Sequence, residues 1–446
     1  MRDPRRLLVP LFAGYVALFA VLLHTSGRHV PLWLLGCSTV VFVALVALLS
    51  RCRWTASHTA LVILVGATVL QIVALTRGPT TSDDVYRYLW DGRVQFSGTD
   101  PYAYPPVSAH LAHLRDTALF PTGRAHCPWP IPDGCSLINR PRVRTVYPPV
   151  AQLVFDAGRV VSFGGHGGVH TFQVLAALGV LGITALLLRV SVRADQPLWP
   201  VAIWAWSPLV VIEFGNNAHV DWAAIALSLG CLELARRHRS GWAGALLAAA
   251  TLTKIYPALI GPAVLRRRPW LVLGVAAGVV VLAYLPHVAA AGTDVIGYLP
   301  GYLHEEGYNS GTRLLLLGVV LPHPVDTVVG VALLAAAAVW TWRRSDPDAP
   351  ERSAVTLVGL AFLVTTPAYG WYAGLLLALA VRARRLEWVP VALAPAFVYL
   401  VRAEVSKASW YGSTIYAVAA GLTLLAFVVR RRADSRAGSL VQVGVG

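Results

Sequence analysis

Thr81-Ser-Asp-Asp-Val-Tyr-Arg-Tyr-Leu-Trp-Asp-Gly-Arg93 opens the one long polar stretch of this chain, which lies between a hydrophobic run ending near Thr76 and another beginning near Tyr147. Three acids, two arginines and three aromatics within thirteen residues are ingredients of a site for a polar substrate. The fold depends on which side of which layer this stretch occupies. The chain around it has 446 residues, 56% of them hydrophobic and 13% charged, too little polar surface to coat a soluble globule of that size. The composition therefore predicts an all-α, polytopic membrane protein, with roughly 11–14 transmembrane or re-entrant helices.

The formal charge of +15 would suit a nucleic-acid binder if the basic residues formed a patch. Instead they sit in short clusters between hydrophobic runs: Arg2/Arg5/Arg6, Arg51/Arg53, Arg189/Arg193, Arg236/Arg237/Arg239, Arg266–Arg268, Arg343/Arg344/Arg352, Arg382/Arg384/Arg385 and Arg430–Arg432 with Arg436. By the positive-inside rule these turns face the cytoplasm, which places both termini inside and the longer loops outside. The expected partners are membrane lipids and no nucleic acid. The first apolar run, Leu7–Leu23, reads as a retained helix of the cell membrane because Pro10 interrupts it and a second run follows at once from Pro31.

Runs at about 7–23, 31–50 and 59–76 put residues 77–146 on the outer face. Residues 148–163 are apolar but carry Gln152, Asp156 and Arg159, and a full crossing here would export Arg189 and Arg193. A juxtamembrane or re-entrant helix resolves this. Residues 242–265 have the length of one crossing but carry arginine clusters at both ends. The chain must turn back near Thr253-Lys-Ile-Tyr-Pro257, where proline removes a backbone donor and disfavours helix before it. Lys254 is one of two lysines in the chain, and a charge at that depth is expected to line a cavity. A second outer loop is read over 291–324. Residues 1–430 thus form a single membrane domain, followed by a Gly/Ser-rich cytoplasmic tail, 431–446, expected to be disordered.

Cys127 and Cys135 lie eight residues apart in the outer loop, with three prolines and a glycine between them. In an oxidising exterior a disulfide closing this small loop is expected. Ser82 is a good N-cap, which would place Asp83 and Asp84 in the first turn of a helix, with Asp84, Arg87 and Asp91 on one face and Val85, Leu89 and Phe96 on the other. A solvated amphipathic helix would show the same pattern. Tyr86, Tyr88, Trp90, Tyr102 and Tyr104 crowd the same loop and suit either interface anchoring or sugar rings. No nucleotide-binding glycine motif, no internal repeat and no Cys/His metal spacing occurs, so no cofactor and no metal is expected.

The run Ser82–Arg93, followed by Gly98-Thr-Asp-Pro-Tyr102, resembles the first outer loop of GT-C glycosyltransferases, specifically the bacterial polyprenyl-phosphomannose-dependent α-mannosyltransferases. Similar segments follow in order: Thr145-Val-Tyr-Pro-Pro-Val-Ala-Gln152, Ala218-His-Val-Asp221, Leu252-Thr-Lys-Ile-Tyr-Pro257, Asn309–Arg313 and Pro367–Tyr372. Valine stands between His219 and Asp221 where members often carry Asn or Gly.

The resemblance covers about residues 80–375. It implies transfer of a hexose, mannose foremost, from a polyprenyl-phosphate-linked donor to a hydroxyl of a cell-envelope glycan or glycolipid at the outer face, with inversion and an aspartate as general base. Asp84 stands where the motif acid is expected, with Asp83 as the other choice. Donor-phosphate and substrate contacts fall on Tyr86, Arg87, Trp90, Asp91, Arg142, Arg144, Tyr147, His219, Asp221, Lys254, Tyr256, Asn309, Arg313, Trp371 and Tyr372. The chemistry agrees: cleaving an anomeric C–O bond to phosphate needs a base and nearby cations. Two other readings are an envelope-polymer ligase and a lipid-linked glycan transporter. A transporter would concentrate its acids and arginines inside the crossing spans.

Overall fold

The computed structural model describes residues 4–25, 27–123, 127–132, 134–162, 168–307, 310, 312–401 and 409–443. Asn309 lies outside them. Helices of seven or more residues are numbered here in chain order. Three long apolar helices open the chain, α1 (Pro4–Thr25), α2 (Leu32–Arg51) and α3 (Ala56–Leu75). The polar stretch follows as α4 (Asp84–Phe96), irregular chain, and a two-stranded antiparallel ribbon of β1 (Trp129–Ile131) and β2 (Gly134–Ser136). Cys127 and Cys135 form the expected disulfide.

Next come α5 (Pro149–Val161), α6 (Gly168–Arg193), α7 (Asp221–Arg236), α8 (Ser240–Thr251), α9 (Pro269–Ala291), α10 (Leu299–Glu305), α11 (Val325–Arg344), α12 (Pro350–Thr365), α13 (Ala373–Arg382), α14 (Val389–Leu400) and α15 (Ser409–Val443). Among the described residues, seven helices are long and apolar enough to cross a membrane. The protein is a polytopic, all-α integral membrane protein. Other expected crossings are built from short or bent pieces: the segment Pro208–Asn216 meets α7 at 116°, and the 242–265 run divides into α8 and the short turns Tyr256–Ile260 and Gly261–Val264. The breaks in the 242–265 run fall where proline enters, at Pro257 and Pro262, because its ring cannot continue the helical hydrogen-bond ladder. The 116° bend falls at 217–220, where Ala218 takes a left-handed backbone, φ 58°. Beyond residue 430 the backbone continues as helix to Val443, since residues 431–443 hold no proline and one glycine, and α15 propagates through them.

Between helices in lipid, close packing replaces the hydrophobic drive of water. Trp204 and Trp206 are buried at the centre of the bundle, with Phe12 5.3 Å from the Trp206 ring and the Tyr15 hydroxyl donating to the Trp206 carbonyl. Gly66 meets the same indole; a Cβ there would come within 2.6 Å of Nε1. The outer region has its own cores. Val85, Tyr88, Tyr147, Phe155 and Phe172 pack between α4, α5 and α6, with Tyr88 stacked on Phe155 at 4.4 Å. Trp90, Leu111, Phe120 and Ile138 form a second cluster beneath the ribbon. Helix α5 leaves Leu153 and Val160 exposed, as an interfacial helix should.

Candidate active site

The polar stretch and the bundle meet around a cavity of about 670 Å³. Its lining holds charged and polar side chains, among them Arg28, Asp83, Asp84, Asn139, Arg140 and Lys254, together with apolar ones such as Leu259, Leu334, Ala361 and Phe362. The helix α4 begins one residue later than Ser82 capping predicts. Ser82 Oγ accepts from the Asp84 amide at 3.3 Å, Asp83 occupies the cap position, and the two aspartates turn to different partners.

Asp84 is the inner one. Its Oδ1 accepts from Asn139 Nδ2 at 2.6 Å and its Oδ2 from the Tyr147 hydroxyl at 3.1 Å, and His219 Nδ1 lies 3.6 Å away. Burial opposes its charge, but the positive charges of His219 and Lys254, joined by the Asn139 and Tyr147 hydrogen bonds, outweigh burial and hold the carboxyl below its ordinary range. Asp83 points outward, accepting from Arg28 at 2.6 Å and Trp129 Nε1 at 3.0 Å. Burial pushes its carboxyl up despite these partners, and the Asp84 charge adds to the rise.

Lys254 stands where α8 breaks. Its Nζ is 3.6 Å from Asp221 Oδ2 and 4.8 Å from the centre of the Tyr147 ring. Tyr147 thus touches both charges: its hydroxyl holds Asp84 while its face carries the ammonium, a cation–π contact. Burial and the adjacent Asp84 carboxylate push the Tyr147 hydroxyl up, so it remains a donor. Tyr256, Trp371 and Tyr372 line the cavity. His219 and Asp221 are fully buried behind it, with Trp371 stacked on the imidazole at 4.0 Å.

Several expected contacts lie elsewhere. The phasing of α4 holds, but its polar face divides: Asp84 and Arg87 line the cavity, while Asp91 is buried. Arg87 Nε donates to Asp91 Oδ1 at 2.9 Å, and Asp91 Oδ2 accepts from Thr145 at 2.6 Å and Gln152 at 3.1 Å. Arg87 still borders the cavity, but Asp91 is 1% exposed and staples α4 to α5. A buried pair must be satisfied on all sides, and these partners satisfy it. Trp90 packs on Phe120 in the core at 5.1 Å, and Tyr86 lies outside the cavity lining. Arg142 is exposed at the surface. Arg144 borders the cavity but is held by Asp294 at 2.8 Å. Arg313 is paired with Glu306 and also lies outside the lining.

Residues 145–367 match the profile of glycosyltransferase family 87, half of the chain. The chain belongs to glycosyltransferase family 87. No curated protein and no solved structure matches it. It is therefore a membrane glycosyltransferase that takes a sugar donor and an acceptor. The matched segment contains Tyr147, His219, Asp221 and Lys254, and the fold brings Asp83 and Asp84, which precede it, onto these residues.

The cavity of this family 87 enzyme is also lined by residues that stand in no recognisable motif. Asn139 and Arg140 follow the ribbon. Arg140 has a left-handed backbone, φ 48°, uncommon outside glycine and asparagine. Its Nε donates to Glu305 of α10 at 2.6 Å, and its guanidinium lies over the Tyr302 ring. Tyr302 in turn meets Tyr372, hydroxyl to hydroxyl, at 2.6 Å. Trp129 and Arg28 hold Asp83. These partners are 46 and 55 residues from it in sequence, so no local pattern announces them.

Proposed function

We propose that this family 87 glycosyltransferase moves a hexose, mannose foremost, from a polyprenyl-phosphate donor to a hydroxyl of an envelope glycan or glycolipid at the extracytoplasmic face. The observation that carries the reading is the pairing of Asp84 and Lys254 on the two sides of Tyr147, in a cavity lined by both charged and apolar side chains. The apolar lining suits a prenyl chain and the charged groups a sugar phosphate.

Asp84 takes the proton of the acceptor hydroxyl as that oxygen bonds to the anomeric carbon. The C–O bond to phosphate breaks on the opposite face, the phosphate leaves with the bonding electrons, and the configuration inverts. Lys254 offsets the charge that grows on the departing phosphate. Asp84 is kept ionised by its surroundings, so it enters the reaction ready to accept. Asp83, held by Arg28 and Trp129, shapes the rim. The arginine clusters on the turns opposite the cavity favour an outer active site and cytoplasmic termini.

Purified enzyme in detergent, given radiolabelled polyprenyl-phosphomannose and envelope acceptors, should transfer sugar. Asp84→Asn should lower the rate by about 10²–10⁴-fold, and Asp83→Asn by far less. Equal rates for wild type and Asp84→Asn sink the assignment of the base, and no transfer from any lipid-linked sugar sinks the donor.

A further inference from the structure

Most aromatic side chains of the cavity are already occupied. Tyr147, Tyr302, Tyr369, Trp371, Tyr372 and Tyr399 line it, and each has another ring or a cation against it. Trp129 of β1 differs. It borders the cavity half-buried, and among the described residues no ring or cation is stacked on it. Its Nε1 donates to Asp83 Oδ2 at 3.0 Å, and Arg28 donates to that same oxygen at 2.6 Å. Among the described residues Asp83 Oδ1 accepts no hydrogen bond. The Arg28 side chain is 53% exposed, which leaves the rest of its guanidinium fork open.

An open indole face beside a carboxylate oxygen and a guanidinium suits a pyranose ring. The C–H face of the sugar lies on the indole, while neighbouring hydroxyls donate to the carboxylate and accept from the guanidinium. The platform is fixed in advance: Trp129 pairs with Ser136 across the ribbon, and the Cys127–Cys135 bridge closes it, so little freedom is lost on binding. Its place also separates two substrates. Asp84 turns inward to Tyr147, whose face carries Lys254, and its neighbour Asp83 turns outward to Arg28 and Trp129. An inverting displacement keeps the incoming hydroxyl and the departing phosphate on opposite faces of the anomeric carbon. With the phosphate at Lys254, the outward group is left for the acceptor.

We infer that Trp129, Asp83 and Arg28 form a subsite for a pyranose ring of the acceptor, so that the hydroxyl presented to Asp84 is one carried on a sugar. The assignment to the acceptor rests on the reading of Asp84 and Lys254 given above. Binding of a sugar ring at Trp129 stands apart from it.

Full-length protein in detergent, labelled with fluorotryptophan, reports on the subsite directly. The Trp129 fluorine signal is assigned by its loss in Trp129→Phe and, independently, in Trp129→Tyr. Titrated with the methyl glycosides of mannose, glucose, galactose and N-acetylglucosamine, that signal should shift saturably with at least one of them. A signal indifferent to all four overturns the inference, and this result decides it even where the kinetic variant fails to fold. In the transfer assay, Trp129→Leu should raise KM for the acceptor at least about tenfold with KM for the donor unchanged. Trp129→Phe, which keeps a ring but gives up the bond to Asp83, should recover most of that loss. A raised KM for the donor, or a fall in kcat with neither KM moved, overturns the assignment to the acceptor. A Trp129 that responds to glycosides in a protein that transfers no lipid-linked sugar would leave the subsite standing and remove only the proposed donor.

Discussion

Lys254 is the residue whose placement says most about the leaving group. It is a cation at a break between short helices, 3.6 Å from one buried acid and resting on the ring that hydrogen-bonds another. Lys254→Met should lower transfer by about 10²–10³-fold, as loss of a preorganised charge at a developing anion does, and Lys254→Arg should recover part of it. Initial rates at saturating donor check this. The pH profile belongs to Asp84. A carboxyl whose folded-state proton affinity is depressed stays ionised, with its stabilisation intact, above its ordinary value of about 3.9 and is lost only as pH falls further. The acid limb of kcat/KM should therefore lie below about pH 4, limited in practice by enzyme stability. An acid limb above pH 6 would count against Asp84.

At this scale the sequence was informative where chemistry is local. Tyr147, His219, Asp221 and Lys254 each stand in short segments whose residue types suggest a site, and the fold gathers them. Asp91 and Trp90 turn into the protein because helical phasing tells which residues share a face, not what covers it; here α5 and the ribbon cover it. Asn139 and Arg140 carry no local signal because their partners lie far along the chain: Asp84, 55 residues from Asn139, and Glu305, 165 residues from Arg140.

Among elements, the contact between α4 and α5 fixes the height of Asp84. Gly92 makes that contact possible: a Cβ there would fall 2.6 Å from the Phe155 carbonyl oxygen, a backbone atom that cannot turn aside. Gly92→Ala should cost about 1–3 kcal/mol, read as a lower unfolding midpoint in detergent, and should reduce transfer by tilting α4 away from Tyr147. The ribbon supports the other side. Opening the Cys127–Cys135 bridge, which closes a loop of eight residues, should cost about 2–3 kcal/mol. Since Trp129 of that ribbon holds Asp83 and Asn139 just beyond it holds Asp84, a Cys127→Ser/Cys135→Ser protein should unfold at lower temperature and transfer more slowly. Long apolar runs were legible as helices, and the break at Thr253–Pro257 was legible from its lysine and proline. The division of other runs into short helices was not, because hydropathy sums over a window and does not register where a bundle bends a chain.

For the molecule as a whole, α3 runs from the turn bearing Arg51 and Arg53 to the Thr81–Asp84 stretch that lines the cavity, and the proposed sidedness follows from that division. Single cysteines introduced at Asp294, beside Arg144 at the rim, and at Arg267, in the turn that pairs with Asp348, should label from opposite faces of sealed cells or vesicles. An impermeant maleimide should reach Asp294→Cys from outside and Arg267→Cys only after permeabilisation; the reverse pattern would invert the topology.

Tyr147 gives the site one further property. A single ring bonds the acid through its edge and carries the ammonium on its face, so neither charge can be relocated without disturbing the other. Substrate preference has little room to diversify beside this ring. Adaptation to a different lipid or sugar is left to the apolar lining, where Leu259, Leu334 and Phe362 can be exchanged without moving the proposed base and cation.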